Sequence, residues 1–381
     1  MDSGVAVPTA QPDSSVEQLI VLPSPDPSLF EETVAVINEL GGRVSQVYGP
    51  RVLLANLPDE GREGLDQALE GIFPPQGAEG APFPMAVGES LGIDAWNLRA
   101  SPEFTEAKGQ RPRVGVSWAE DPPDLPEEEG ETPESEAPFG APPPNTSKFL
   151  IGSVAVGLIL VNGPTPALQF TGNERTKVIA EVQDGLGWLA AQEPRANITW
   201  VYDIRDVNVV VPANFQPENN SYEAKEAPWR NAAMAQLGFS ASFQGVWDYV
   251  LAIRQQYQTD WAYVAFFTKG YPIHHFAYAS KPRLVMDYFN GGWGPDSIAE
   301  VFTHETGHIF GCPDEYSTVT KLCQCNTQYG FLKEINGNCD QCPTPQINCL
   351  MGANERALCN YTRIHFGWRD SDGDGILDPL S

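Results

Sequence analysis

The chain has 381 residues, of which 41% are apolar, and a net charge of −27 from 50 acidic and 23 basic side chains. That length suggests two or three domains, with enough apolar material for a sizeable core. The acidity argues against nucleic acid or an anionic membrane as partner, because both need a basic face; it suits solubility, cation binding and extracellular life.

Residues 1–16 are polar and read as disordered, and Met1-Asp2-Ser3-Gly4 lacks the basic start and apolar core of a secretory leader. Leu19-Ile20-Val21-Leu22 reads as a strand. Leu29, Val34, Ile37 and Leu40 share a helical face that Gly41-Gly42 ends. Val44 to Leu57 turns at Gly49-Pro50 and continues as Val52-Leu53-Leu54. A helix near 61–72 and a strand at Arg113–Trp118 complete an expected α+β N-terminal domain over 1–118. Residues 119–147 are dominated by Glu, Asp and Pro around Glu127-Glu128-Glu129 and read as a linker, with too little apolar surface to offset the entropy of ordering.

Residues 148–368 read as a second, mixed α/β domain. Strands are expected at Ser153–Val161, Asn197–Asp203, Trp261–Phe267, Phe276–Ala279 and Arg283–Phe289. Helices are expected at Asn173–Gln192, where Val178, Val182, Leu186 and Leu189 stack, and at Phe243–Tyr257. The longest apolar run, Phe149 to Val161, is shorter than the roughly 20 residues a spanning helix needs. Phe276–Ala279 is a candidate sheet edge for pairing with an extended substrate; His274-His275 before it reads as exposed polar residues.

Ser297-Ile298-Ala299-Glu300 has the form of a capping box, so a helix should begin there. On it, His304 and His308 are one turn apart and project from one face, spaced to grip a single Zn²⁺. Glu305 is placed to take a proton from water and hand it to a leaving amine. Gly311 can take positive φ and end the helix sharply, which turns Asp314 back toward the histidines as third ligand. Glu334 and Glu355 are the rival third ligands.

The segment His304-Glu305-Thr306-Gly307-His308-Ile309-Phe310-Gly311-Cys312-Pro313-Asp314 resembles the metzincin zinc peptidases, whose His-Glu-x-x-His-x-x-Gly-x-x-His pattern ends in histidine where this chain has Asp314. The version with Asp resembles the snapalysin family. Asp314-Glu315-Tyr316 also resembles the immunoglobulin-A peptidase family, where Asp-Glu-Tyr follows at a slightly different spacing. The resemblance implies a metzincin-like domain with a mixed twisted sheet and an active-site helix, and a methionine turn for which Asn348-Cys349-Leu350-Met351-Gly352 fits. It implies a secreted endopeptidase acting on a protein or peptide, with Tyr316 and Tyr361 as candidate oxyanion donors. The strand-helix-strand unit at 18–57 loosely resembles propeptide-type inhibitor domains, or else is a small domain of other purpose; if residues 1–118 are a pro-domain, cleavage in the linker would release the peptidase. Two alternatives stand beside this: a non-catalytic adhesion module on the same fold, and a zinc amidase acting on cell-wall peptides.

All seven cysteines lie between Cys312 and Cys359. Cys323-x-Cys325 and Cys339-x-x-Cys342 suit either disulfides or a second, structural zinc, and a disulfide at Cys312 would steady Asp314. The tail from Asp370 to Asp378 has the form of a calcium loop, with Asp370, Asp372, Asp374, Ile376 and Asp378 as candidate ligands, or else is an acidic flexible end.

Overall fold

The computed structural model describes residues 16–72, 84–119, 145–211, 221–270, 277–318 and 321–381. The expectations for the polar start, His274-His275 and most of the 119–147 linker lie outside the described residues. Two compact units are present, Met1–Pro84 and Met85–Ser381.

The first unit runs β1 (Val16–Val21), α1 (Pro27–Glu39), β2 (Arg43–Tyr48), β3 (Val52–Leu57) and α2 (Asp59–Ile72). The three strands are antiparallel, in the order β1-β3-β2. Asp26 caps α1 by accepting the Ser28 N–H at 2.9 Å. Ile37, Val47, Leu53, Leu54 and Leu65 are buried, as the apolar pattern requires.

The second unit contains α3 (Val87–Arg99), α4 (Pro102–Gly109), β4 (Ser153–Asn162), α5 (Gly172–Ala191), β5 (Thr199–Asn208), α6 (Tyr222–Gln236), α7 (Phe243–Tyr257), β6 (Trp261–Thr268), β7 (Ala277–Ser280), β8 (Arg283–Asp287), α8 (Ile298–Ile309), the short pair β9 (Gln328–Tyr329) and β10 (Glu334–Ile335), and α9 (Asn360–His365). Within it the sheet order is β5-β4-β6-β8-β7. The first four strands are parallel, and β7 is an antiparallel edge. Parallel strands covered on both faces should be continuously apolar, and β4 and β6 are (SVAVGLILVN and WAYVAFFT). Alternation along β6 separates the layers. Ala262, Val264 and Phe266 join Trp229 and Met234 of α6 and Val246 and Val250 of α7 in one core. Tyr263 and Phe267 face the other way, onto Phe302 of α8, and the Phe267 and Phe302 rings stack with centroids 5.7 Å apart.

The division between units falls ahead of the expected one. Residues 85–118 belong with the second unit because charged contacts hold them there. The Lys108 ammonium, on α4, bonds Glu181 of α5 at 3.0 Å and Glu300 of α8 at 2.8 Å. Arg113–Trp118 forms turns with a single bridge, Ser117 to Ala353, rather than the expected strand.

Candidate metal centre

Residues Ile298 to Gly307 are all buried, so α8 is a core helix. The expected capping box does not form. The buried Ser297 hydroxyl makes no hydrogen bond, and the Glu300 carboxylate is taken by Lys108 and by Arg356 (2.8 Å). An outside group serves the helix start instead: Glu181 Oε2, on α5, accepts the Ala299 N–H at 3.0 Å. Near its end, Gly307 lets Met351 come close. A Cβ there would sit 2.7 Å from the Met351 sulfur, so the fully buried Met351 side chain underlies the helix between the two histidines.

The helix ends in a Schellman turn. Cys312 N–H donates to Gly307 O at 2.9 Å and Gly311 N–H to His308 O at 3.0 Å, with Gly311 at φ +90°. The turn does what the sequence pattern asks of it and returns Asp314 to the histidines. His304 Nε2 and His308 Nε2 are 3.1 Å apart, and Asp314 Oδ1 lies 3.4 Å from the first and 3.2 Å from the second. The far nitrogens are already engaged: His304 Nδ1 with Leu350 O at 3.1 Å, His308 Nδ1 with Cys312 O at 2.8 Å. As donors to those carbonyls, they leave both Nε2 atoms as bare acceptors aimed at one point together with a carboxylate oxygen. Three acceptors this close repel one another unless a cation lies among them. Four-coordinate zinc with bonds of about 2.0–2.1 Å needs ligand atoms about 3.3–3.4 Å apart, and the observed triangle is close to that. The residues therefore fit a zinc ion.

The electrostatics agree. Burial pushes the His304 ring's pKa below the ordinary histidine value, which keeps it neutral and able to donate a lone pair. Burial alone would push the Asp314 carboxyl up, but without a metal a proton on the facing His308 and His304 rings outweighs it and holds the carboxyl well below the usual carboxylate range, so the site is built for positive charge at that point.

Glu305 lies beside His304 on α8 and is 3% exposed. The Tyr316 ring is 6.3 Å from the His304 ring. Tyr361 packs over Gly337, where a Cβ would meet its ring at 2.2 Å. The rival ligands lie elsewhere: Glu334 faces Arg369 at 3.5 Å, and the Glu355 carboxylate is beside Gly115.

Sequence reasoning missed the groups that hold the ligands. Glu315 is fully buried and bonds Thr362 Oγ1 (2.8 Å), Cys359 Sγ (2.9 Å) and Asn338 Nδ2 (2.5 Å); its N–H donates to Met351 O at 3.0 Å. It thereby ties the ligand turn to the Met351 loop and to α9. Asn336 Nδ2 donates to the Asp314 carbonyl at 2.7 Å. Trp118 Nε1 donates to Leu350 O at 2.6 Å. The Asp-Glu-Tyr run was the one visible signal for Glu315; nothing local marks the others.

Two cysteine pairs, Cys323–Cys339 and Cys325–Cys342, are disulfide-bonded. Cys312, Cys349 and Cys359 are buried free thiols, so the expected disulfide at Cys312 is absent; its sulfur points to Thr362 O at 3.8 Å. In the tail, carboxylate oxygens of Asp370, Asp372 and Asp374 lie within 4.8 Å of one another. Asp378 is engaged by Arg369 Nε at 2.6 Å and by Ser371, and Ile376 N–H donates to Asp374 at 2.7 Å.

Comparison of the chain with protein-family models, with curated proteins and with solved structures gives no match.

Proposed function

We propose that the chain is a zinc-dependent endopeptidase of metzincin type, with His304, His308 and Asp314 holding the metal. The observation that carries this is the triangle of two Nε2 atoms and one carboxylate oxygen, with sides of 3.1, 3.2 and 3.4 Å. A zinc ion held there would supply Lewis acidity, which lowers the pKa of water toward about 7 and polarises a carbonyl. Glu305 takes the proton from the attacking water and delivers it to the leaving amine. Leu350 O and Cys312 O keep the two rings in the tautomer that leaves Nε2 free. Tyr316, near His304, is the better placed of the two tyrosines to donate to a developing oxyanion. The edge strand β7 offers backbone groups to an extended peptide.

The disulfide pairs support a secreted, oxidising setting. Because Lys108 and Trp118 stay bonded to the second unit, a cut in 120–144 would not by itself release residues 1–118. Catalysis in this scheme is independent of calcium at 370–378.

The test is metal analysis and casein digestion by the full chain and by Glu305→Ala. One zinc per chain in both, with cleavage reduced about 10²–10⁴-fold in the variant, supports the scheme. Equal cleavage by both proteins rules out Glu305 as the proton carrier. Zinc without any cleavage favours the adhesion-module alternative.

A further inference from the structure

Residues 112–118 run beside the loop that follows Met351. Gly115 N–H donates to Asn354 O (3.1 Å), Asn354 N–H returns to Val116 O (3.0 Å), and Trp118 N–H donates to Gly352 O (3.3 Å). The Asn354 side chain adds bonds to the carbonyls of Pro112 and Arg113, both 3.2 Å. This lays the Trp118 indole, 1% exposed, between two rings: Trp293, with centroids 4.7 Å apart, and His304, at 5.4 Å. Arg113 covers the stack by placing its guanidinium 4.7 Å from the Trp293 ring centre.

The indole N–H and the His304 ring meet on one atom. Leu350 O accepts Trp118 Nε1 at 2.6 Å and His304 Nδ1 at 3.1 Å. A carbonyl oxygen has two lone pairs, and here each has a donor. The indole bond fixes the direction of the carbonyl. The carbonyl fixes the His304 ring, and that ring's other nitrogen is the metal donor. Groups that orient a ligand in this way typically change metal affinity about 10–100-fold when lost. Trp118 reaches this position from the far side, in sequence, of the 120–144 segment.

We infer that Trp118 is a positioning residue for the first metal ligand, and that residues 112–118 are part of the metal site. The inference rests on the zinc reading of His304, His308 and Asp314. A cut within 120–144 would leave 112–118 in place, bound through the loop at 350–354.

The experiment uses the full chain in wild-type form and as Trp118→Phe, which keeps a ring but loses the N–H. Trp261→Phe, which loses an equivalent indole bond to Ile151 O at 2.9 Å outside the metal site, serves as the comparison. Zinc affinity is measured by competition with a chelator, and ligand geometry by the visible spectrum of the cobalt-loaded protein. Trp118→Phe should bind zinc about 10–100-fold more weakly and show a shifted cobalt spectrum, while Trp261→Phe matches wild type in both. Wild-type affinity with an unchanged spectrum in Trp118→Phe would overturn the inference. Should that variant fail to fold, amide exchange in the wild-type chain decides. Residues 112–119 should exchange more slowly with zinc than with chelator present, and equal rates would overturn the inference. A wild-type chain that binds no zinc at all would instead remove the metal site itself.

Discussion

The His308 ring is oriented by the backbone of Cys312, whose carbonyl oxygen takes the Nδ1 proton at 2.8 Å. That carbonyl is where it is because Gly311 turns the chain at φ +90°. One glycine therefore sets both the orientation of the His308 ring and the return of Asp314 toward it.

Gly311→Ala should weaken both folding and metal binding. An alanine at positive φ costs about 1–2 kcal/mol, and its Cβ would also press on Gly330 Cα at 3.3 Å. Urea unfolding with chelator present should show a lowered midpoint. Zinc competition should show an affinity loss larger than that stability change alone explains. A wild-type zinc affinity would mean that the turn does not orient the ligands.

Asp314→Ala removes one of three donors, whereas Asp314→His restores a nitrogen donor of the kind in the common metzincin pattern. Zinc content after gel filtration should fall well below one per chain in the first variant and recover, at least in part, in the second. Full zinc content in Asp314→Ala would transfer the third position to another residue.

Lys108→Met should destabilise the second unit by about 3 kcal/mol, the lower end for breaking a buried ion pair. Lys177 still pairs Glu181, and Arg356 still pairs Glu300, so the loss is partial. Thermal melting should drop by about 6–12 °C. In the same experiment series, limited proteolysis between 120 and 144 should yield a fragment ending near Ala119 that still co-elutes with residues 145–381. A clean separation of that fragment would contradict the bonding of Lys108 and Trp118 to the second unit.

Acid should destabilise the metal-free protein through its buried histidines. Burial lowers the pKa of His365, whose Nδ1 has no hydrogen-bond partner, and that of His304. Their folded values lie below the unfolded value of about 6.5. Between the two values the unfolded chain binds more protons, so stability falls as pH drops through about 6.5 and levels off only below the folded values. Melting temperatures in chelator should decline from pH 7.5 to pH 5.5, and less steeply in His365→Gln. An identical slope in that variant would exclude His365 as a contributor.

The convergence of His304, His308 and Asp314 was legible in the sequence because it is local. His304 and His308 are one helical turn apart, and Asp314 follows a glycine stop, so short-range geometry decides where they meet. Their supports were not legible, since Trp118 and Leu350 are brought together only by the fold. The same division runs through the architecture. β4, β6, α5 and α7 follow from continuous apolar runs or helical stacking, and their ends fall within one or two residues of those expected. The helices α3, α4 and α6 did not show themselves. The buried set of α3 is Glu89, Leu91, Gly92 and Ala95, which makes no apolar stripe, and α6 carries Pro228 in its interior. The capping box at Ser297 failed for a related reason: long-range charges claimed Glu300 before the helix start could use it.

The bonded pairs Cys323–Cys339 and Cys325–Cys342 close overlapping loops of 16 and 17 residues, and Asn336 and Asn338, which hold the Asp314 carbonyl and the Glu315 carboxylate, lie inside them. Thiol reductants should therefore disable the protein without touching a ligand, by slackening the lacing that keeps one jaw of the grip shut. Forming the two bonds in an oxidising milieu would then complete the support of Asp314 and Glu315.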